Sequence, residues 1–152
     1  DYKFVDTDEQ VEIATGLPVA QVCRKYGQIR FRSEEALVVK KFCRQKGQII
    51  ATGGDLILHA DNLQLLKENG YLVLLQVEPE VVYKRVSRKN NRPLLGKKVD
   101  LPTIEQLMEE RKNTYLQAAD LVVDANHLSL EEIAQRIIKG YEEAKKKNAE
   151  GK

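Results

Sequence analysis

Short apolar runs alternate with longer amphipathic stretches along the chain. The longest apolar run, Tyr71–Val77, is nearly continuous, which is typical of a strand that other elements cover on both faces. Three shorter runs predict further strands at Lys3–Val5, Gln48–Ala51 and Leu121–Val123. Because these strands alternate with helical patterns, we predict βαβ crossovers and an α/β fold in which helices cover both faces of a parallel sheet.

The amphipathic stretches predict helices with ordinary capping signals. The predicted helices cover Asp8–Thr15, Pro18–Tyr26, Ser33–Gln45, Asp61–Glu68, Glu80–Arg88, Thr103–Gln117 and Ser129–Lys146. A glycine follows each of the first three as a C-cap, and Gly27 is the second of these glycines. We expect Ser33 to open the third helix, and Ser129 with Glu132 to form a capping box.

The segment 89–102 does not fit this alternation. It contains two prolines, one glycine and several cationic side chains, so it is too polar for a core and too long for a tight connection. A loop of this kind is often a lid that closes over a ligand, and we predict a mobile lid here. We expect residues 1–147 to form a single domain that includes this lid, followed by a flexible tail at 148–152.

Composition and charge restrict the class of protein. The 152 residues are 42% apolar and 32% charged, which is the composition of a soluble globular domain. A net charge of +2 argues against a nucleic-acid binder. No apolar run approaches the roughly 20 residues that span a membrane. We therefore expect a cytoplasmic monomer that binds neither nucleic acid nor membranes.

The two cysteines, Cys23 and Cys43, lie on apolar positions of predicted helices. This placement is typical of buried free thiols in a reducing compartment. The two histidines, His59 and His127, do not combine with them at the spacing of a zinc site.

Two carboxylates follow the first predicted strand directly, in Asp6-Thr7-Asp8. Residues at the carboxyl end of such a strand face the crevice in which α/β proteins bind ligands. One carboxylate is suited to hold Mg²⁺ through water, and the other to accept hydrogen bonds from a substrate hydroxyl. The alternative is structural, because Asp8 followed by Glu9 is also a good helix N-cap.

Further polar groups follow in the next two connections. Arg30 and Arg32 are two apart and suited to bidentate recognition of a carboxylate, although taken by themselves they are better explained by surface ion pairs with Glu34 or Glu35. The pair Gly53-Gly54 lets backbone N–H groups approach a ligand, although a plain turn also uses glycine.

Three arginines from later in the chain are candidates for binding anions. They are Arg85, Arg92 and Arg111. Phosphoryl transfer depends mainly on positioning and on stabilising developing charge, so arginines gathered on a phosphoryl group or a carboxylate suit it. Each of them alone is most often only a solvated side chain.

Five polar motifs, in this order, resemble those of shikimate kinase. They are Asp6-Thr7-Asp8, Phe31-Arg32-x-x-Glu35, Thr52-Gly53-Gly54, Arg92-Pro93-Leu94-Leu95, and Glu110-Arg111 with Tyr115. The resemblance extends from the first residues to about Arg136. It implies a P-loop fold of the nucleoside-monophosphate-kinase type with three layers. It also implies an enzyme of aromatic amino-acid biosynthesis that phosphorylates a hydroxyl of shikimate with ATP and Mg²⁺.

The resemblance also implies a role for each motif residue. The metal-associated residue is Asp6, and the catalytic residue is Arg92 on the lid, which reaches the ATP phosphates with Arg85. The implied substrate-binding residues are Asp8, Arg32, Glu35, Gly53, Gly54 and Arg111. Of these, Asp8 binds a hydroxyl, whereas Arg32 and Arg111 bind the carboxylate.

The chain departs from the family pattern in two important places. Asp55 stands where the motif has a third glycine, and we expect its carboxylate either to repel an anionic ligand or to face away. The sequence also contains no Gly-x-x-x-x-Gly-Lys-Ser/Thr phosphate loop, and the interior strand that precedes this loop in the family is missing with it. We therefore expect an N-terminally truncated shikimate kinase sequence. The alternatives are a non-catalytic shikimate-binding protein that has lost ATP binding, and another small-molecule kinase of the same fold.

Overall fold

A computed structural model describes residues 2–87 and 100–150 of the chain. The contacts of these residues divide them into two compact units, residues 2–70 and residues 71–87 with 100–150. Most of the predicted lid, including Arg92, lies outside the described residues. The single domain over 1–147 and its lid therefore stay predictions.

The first unit contains two strands, three α-helices and a short 3₁₀ helix. The elements are β1 (Lys3–Asp6), α1 (Thr7–Thr15), α2 (Val19–Phe42), β2 (Gln48–Ala51), the 3₁₀ helix Leu56–Leu58, and α3 (Ala60–Asn69). Strands β1 and β2 pair in parallel, with Val5 opposite Ile50 and Asp6 opposite Ala51. This register places the ends of both strands at one edge of the sheet.

The core of the first unit forms between the sheet and helices α1 and α2. Its buried residues are Val5, Val11, Val22, Phe31, Val38 and Phe42. Ile50 of β2 packs against this cluster. Because side chains alternate along a strand, Val5 points into the core while Phe4 and Asp6 point to the other face.

Helix α2 has a break at Gly27, where φ is 82° and ψ is 168°. Glycine adopts this conformation at little steric cost, so the predicted end of the first helical segment at this residue is confirmed. The prediction that Ser33 opens the next segment is wrong. Residues 28–32 are already helical, and the Ser33 hydroxyl donates to the carbonyl of Ile29 at 3.0 Å, as it does inside a helix. The earlier start brings Phe31 into the core.

The second unit pairs its own two strands. Its elements are β3 (Val73–Gln76), α4 (Pro79–Val86), α5 (Leu101–Ala118), β4 (Leu121–Asp124) and α6 (Leu130–Glu150). Strands β3 and β4 are parallel, with Leu74 opposite Val122. The Asp120 carboxylate accepts the N–H of Leu72 at 2.7 Å before the paired strands begin. The predicted α/β class with parallel strands is confirmed.

Helix α6 begins with the predicted capping box. Ser129 Oγ accepts the N–H of Glu132 at 3.2 Å, and the Glu132 carboxylate accepts the N–H of Ser129 at 2.7 Å. A Cβ on Gly140 would lie 2.7 Å from Leu121 Cδ2, so a glycine at this position lets α6 pack closely against β4. The helix continues to Glu150 and so includes the first residues of the segment predicted as a tail.

Within the described ranges, no helix is both long and apolar enough to cross a membrane. Both cysteines are free thiols, and Cys43 is buried while Cys23 is partly exposed.

Candidate active site

The first and third polar motifs meet at one edge of the sheet of the first unit. Asp6-Thr7-Asp8 follows β1, and Thr52-Gly53-Gly54 follows β2, whose last residue lies beside Asp6. The hydroxyl of Thr7 accepts the N–H of Gly53 at 3.0 Å and ties the two segments together. Thr7 is fully buried and was not predicted as a site residue. The sequence signal that could have identified Thr7 is its position between the two aspartates of the first motif.

Asp6 is the N-cap of α1. Its Oδ1 atom accepts the N–H of Asp8 at 2.9 Å and the N–H of Glu9 at 3.2 Å. The alternative in which Asp8 caps this helix is therefore wrong, because the helix begins two residues earlier than Asp8 would allow. The capping leaves Asp8 inside the first turn, with its side chain turned away from the helix backbone and towards Gly53.

The chemistry of Asp6 is compatible with a magnesium ion. Neither capping bond uses Oδ2, and Mg²⁺ in proteins is commonly held by one or two carboxylates together with water and substrate phosphates. Among residues 2–87 and 100–150, no group of three or more His, Cys, Asp or Glu side chains forms a complete metal site. Asp6 therefore fits a magnesium ion that draws its other ligands from water and nucleotide.

Two carboxylates converge on Gly53. A Cβ at this position would lie 2.9 Å from Asp8 Oδ1 and 3.4 Å from Glu35 Oε1, so both oxygens occupy the space beside the glycine. Asp8 is exposed at the end of β1, whereas only 1% of Glu35 is exposed. The absence of a side chain at Gly53 is what allows the two carboxyl groups to approach the backbone together.

Glu35 is held in an unusual environment for an acid. Its Oε2 atom is buried and finds no hydrogen-bond partner among residues 2–87 and 100–150. Burial, followed by the negative charges of Asp8 and Asp55, raises the pKa of Glu35 from 4.5 to about 7, and the nearby guanidinium of Arg32 opposes this rise. The two expectations for Asp55 both stay predictions.

We predict that the stability of the chain falls as the pH rises from 5 to 8. A raised pKa in the folded state means that folding is favoured while Glu35 carries its proton, and this advantage is lost as the pH rises through about 7. We expect this group to account for a loss of about 1–3 kcal/mol in the free energy of unfolding. Urea denaturation at both pH values measures it.

The matching variant is Glu35→Gln, which cannot ionise and should show a smaller loss between pH 5 and 8. Glu105→Gln, at an exposed position on α5, is the control and should follow the unmodified chain. Equal pH slopes in the unmodified chain and in Glu35→Gln would show that Glu35 does not titrate in this range.

Arg30 and Arg32 have different surroundings. Arg30 forms an ion pair with Glu34 at 2.6 Å, one helical turn away, so the surface ion-pair alternative holds for this arginine. Arg32 is exposed, and its charge acts on Glu35 from three residues earlier on α2. Arg32 is therefore the arginine that lies beside the carboxylate cluster.

The remaining predicted residues belong to the second unit or lie outside the described chain. Arg85 is exposed on α4, and Arg111 is partly buried on α5, which packs against α4. Arg92 lies outside the described residues. The structure thus brings Asp8, Glu35 and Gly53 together within the first unit, with Arg32 beside them.

Comparison with known proteins identifies the family. Residues 1–142 match the family described as shikimate kinase. The chain belongs to the shikimate kinase family. The family predicted from the sequence motifs is therefore confirmed.

Two relatives named shikimate kinase show how far this similarity extends. The chain is 44% identical to shikimate kinase from Pelotomaculum thermopropionicum over 136 residues, which are 90% of this chain and 78% of that relative. It is 37% identical to shikimate kinase from Caldanaerobacter subterraneus over 140 residues, which are 92% of this chain and 81% of that relative.

A solved structure agrees with these relatives. Shikimate kinase from Acinetobacter baumannii, in complex with shikimate, matches with a TM-score of 0.86 and 30% identity. The match covers 91% of this chain and 77% of that one. The P-loop kinase type of fold predicted from the motifs is confirmed by this similarity.

Membership of the shikimate kinase family sets the class of chemistry. Shikimate kinases are phosphotransferases with an alcohol acceptor, and they are kinases that use ATP. The described residues include members of four of the five shikimate kinase motifs. Asp55, which departs from the motif, is one of the negative charges that raise the pKa of Glu35, after burial and Asp8.

Proposed function

We propose that the chain binds shikimate at the cluster around Gly53 and phosphorylates one of its hydroxyl groups with ATP and Mg²⁺. The observation that carries this proposal is the convergence of the Asp8 and Glu35 carboxyl groups on Gly53, with Arg32 beside them. The hydroxyl groups of shikimate match the carboxyl acceptors, and its carboxylate matches the guanidinium of Arg32.

Each residue of the cluster has a role that follows from its chemistry. The guanidinium of Arg32 is exposed and binds the carboxylate of shikimate in a charge-assisted hydrogen bond. Asp8 accepts a hydrogen bond from the hydroxyl that reacts, and so holds its oxygen in place for attack on the γ-phosphorus of ATP. Gly53 and Gly54 let the ring approach the backbone closely.

The other predicted residues complete the proposal for the nucleotide and the substrate carboxylate. Asp6 would hold Mg²⁺, which supplies positive charge for the phosphates when it is bound. Arg85 and Arg92 would bind the ATP phosphates, and Arg111 would bind a carboxylate of the substrate. All of these side chains carry the charge that their proposed ligand requires.

We further propose that the protein is a cytoplasmic monomer of aromatic amino-acid biosynthesis. The two free thiols suit a reducing compartment. The near-neutral charge of +2 gives no support to nucleic acid as a partner.

The experiment that tests the proposed function is a calorimetric titration of the 152-residue chain with shikimate, repeated with ATP and Mg²⁺ present. We expect saturable binding, and we expect Asp8→Asn to weaken it by about tenfold, because a hydroxyl loses a charged acceptor. Cyclohexanecarboxylate, which has the carboxylate but no hydroxyl groups, should bind more weakly than shikimate and should not distinguish Asp8→Asn from the unmodified chain.

The outcomes separate the proposals. If shikimate does not bind to the folded chain, the proposed site is wrong. If shikimate binds but ATP with Mg²⁺ neither binds nor leads to phosphorylation, the non-catalytic binding protein is the better description of this chain.

A further inference from the structure

The backbone pairing between β1 and β2 ends just before the proposed substrate site. The last pair in the register is Asp6 opposite Ala51, so the residues that follow lie beyond the strand ladder. Directly after Asp6, the hydroxyl of Thr7 accepts the N–H of Gly53 at 3.0 Å. A side chain therefore continues the connection between the two segments where the sheet stops.

Hydrogen bonds hold the backbone of Gly53 on both sides. Its N–H donates to Thr7, and its carbonyl accepts the N–H of Leu56 at 3.3 Å. Leu56 is fully buried and anchors the turn that follows Gly53. The bond to Leu56 is local, whereas the bond to Thr7 reaches across 46 positions to the segment that carries Asp8.

The bond from Gly53 to Thr7 acts on the space beside the glycine. A Cβ on Gly53 would lie 2.9 Å from Asp8 Oδ1 and 3.4 Å from Glu35 Oε1, so the position of this backbone sets the room in front of both carboxyl groups. Thr7 and Asp8 are neighbours in the first turn of α1. A shift of Gly53 away from Thr7 would therefore also change its distance from Asp8.

Thr7 itself is out of reach of a ligand. Only 1% of the residue is exposed, whereas Asp8 is exposed and Gly53 is partly exposed. The effect of the Thr7 hydroxyl on a bound molecule must therefore pass through Gly53. Without this hydroxyl, the N–H of Gly53 would lose its acceptor and would have to turn towards water to find another.

We propose that Thr7 is a positioning residue for the substrate: its hydrogen bond with Gly53 sets the space in which a substrate hydroxyl meets the Asp8 carboxylate. This inference rests on the proposed shikimate site. It assigns a function in substrate recognition to the middle residue of the first motif, which lies between the aspartate that caps α1 and the aspartate that faces Gly53.

The experiment is a calorimetric titration with shikimate of two variants at this position, with folding checked by urea denaturation. Thr7→Val removes the hydroxyl and keeps the shape of the side chain. We expect it to bind shikimate about three- to tenfold more weakly, which is the usual effect of one lost neutral hydrogen bond. Thr7→Ser keeps the hydroxyl and loses a buried methyl group, so we expect lower stability but an affinity within about twofold of that of the unmodified chain.

The matched control is Thr15→Val, which makes the same change at the other end of α1. The hydroxyl of Thr15 donates to the carbonyl of Val11 at 2.8 Å and accepts the N–H of Leu17 at 3.4 Å, away from the site. We expect this control to lose stability and to bind shikimate like the unmodified chain. Weaker binding in both valine variants would show that a lost hydroxyl acts through general stability, which contradicts the inference.

The inference also predicts coupling between Thr7 and Asp8. If Thr7 acts by placing Gly53 against the Asp8 carboxylate, then Thr7→Val should weaken shikimate binding less in an Asp8→Asn background than in the unmodified chain. Effects of the two changes that simply add would mean that Thr7 acts independently of Asp8, contrary to the inference.

A further measurement needs no substrate. Hydrogen exchange of the Gly53 amide, followed by NMR in the free chain, reports the bond to Thr7 directly. We expect protection in the unmodified chain and in Thr7→Ser, and loss of protection in Thr7→Val. A Gly53 amide that exchanges in the unmodified chain as fast as in an unfolded peptide contradicts the inference, and this holds even for a Thr7→Val chain that does not fold.

The outcomes separate this inference from the proposed function. If shikimate binds equally well to the unmodified chain and to Thr7→Val, although the Gly53 amide of the variant has lost its protection, the inference is wrong and the proposed site stands. If Thr7→Ser loses as much affinity as Thr7→Val, the hydroxyl is not the cause and the inference is again wrong. If the folded, unmodified chain binds no shikimate, the proposed function and the inference both fail.

Discussion

Replacing Arg32 with alanine is expected to weaken shikimate binding by about 1.5–3 kcal/mol, which is roughly a 10- to 150-fold increase in the dissociation constant. Arg32 is exposed beside the carboxylate cluster, and its guanidinium would lose a charge-assisted hydrogen bond with the substrate carboxylate. The expected loss is large because the remaining groups of the cluster are acidic and repel an anion. Calorimetric titration of the purified variant with shikimate measures it.

The chain provides a matched control in Arg30→Ala. Arg30 lies two residues before Arg32 on the same helix, and its replacement removes the same charge. Unlike Arg32, Arg30 forms an ion pair with Glu34. We expect this control to change the dissociation constant by less than about threefold, since exposed charges act weakly at a distance. A similar loss in both variants would mean that Arg32 contributes only to the electrostatic potential around the site. No loss in either variant would mean that the substrate carboxylate binds elsewhere.

Replacing Gly53 with alanine is expected to reduce shikimate affinity by roughly a hundredfold, with little effect on folding. The new Cβ would lie 2.9 Å from Asp8 Oδ1, and one or both of the carboxyl groups beside Gly53 would have to move. A misplacement of about 1 Å lowers enzyme rates by roughly a hundredfold, and we expect a similar loss of binding here because Glu35 can be displaced together with Asp8. The stability should change by less than about 1 kcal/mol, because the displaced atoms are the ends of side chains. Calorimetry and urea denaturation give the two quantities.

A double-mutant cycle identifies the cause. If Gly53→Ala acts by displacing Asp8, then Asp8→Ala should have a much smaller effect in the Gly53→Ala background than in the unmodified chain. Full additivity of the two changes would contradict this explanation, and so would an unchanged affinity in Gly53→Ala.

The local parts of the structure were largely predictable from the sequence. The strand Gln48–Ala51 was predicted with its observed limits, and the capping box at Ser129 and Glu132 forms as expected. Both depend on residues within a few positions of each other. The error at Ser33 has a local cause too, because serine is favoured at an N-cap but is also accommodated inside a helix when its hydroxyl donates to the carbonyl four residues earlier, as Ser33 does to Ile29.

The residues that meet at Gly53 were predictable from the sequence, but their electrostatics were not. Asp8, Glu35 and Gly53 were all predicted, and the structure brings them together. The capping role of Asp6 and the bond from Gly53 to Thr7 were not predicted. Whether Asp55 faced the cluster was left open, because the direction of a side chain after a turn depends on how that turn packs.

The sequence by itself determined the family, the α/β class and the residues available for chemistry. The order of the motifs can be read along the chain, and periodicity and capping signals depend on residues close to each other in sequence. Only the tertiary structure decided which of these groups act on one another. The bond between Thr7 and Gly53 joins residues 46 positions apart. The proton on Glu35 depends on burial and on charges from three separate segments, and both arise only when the chain has folded.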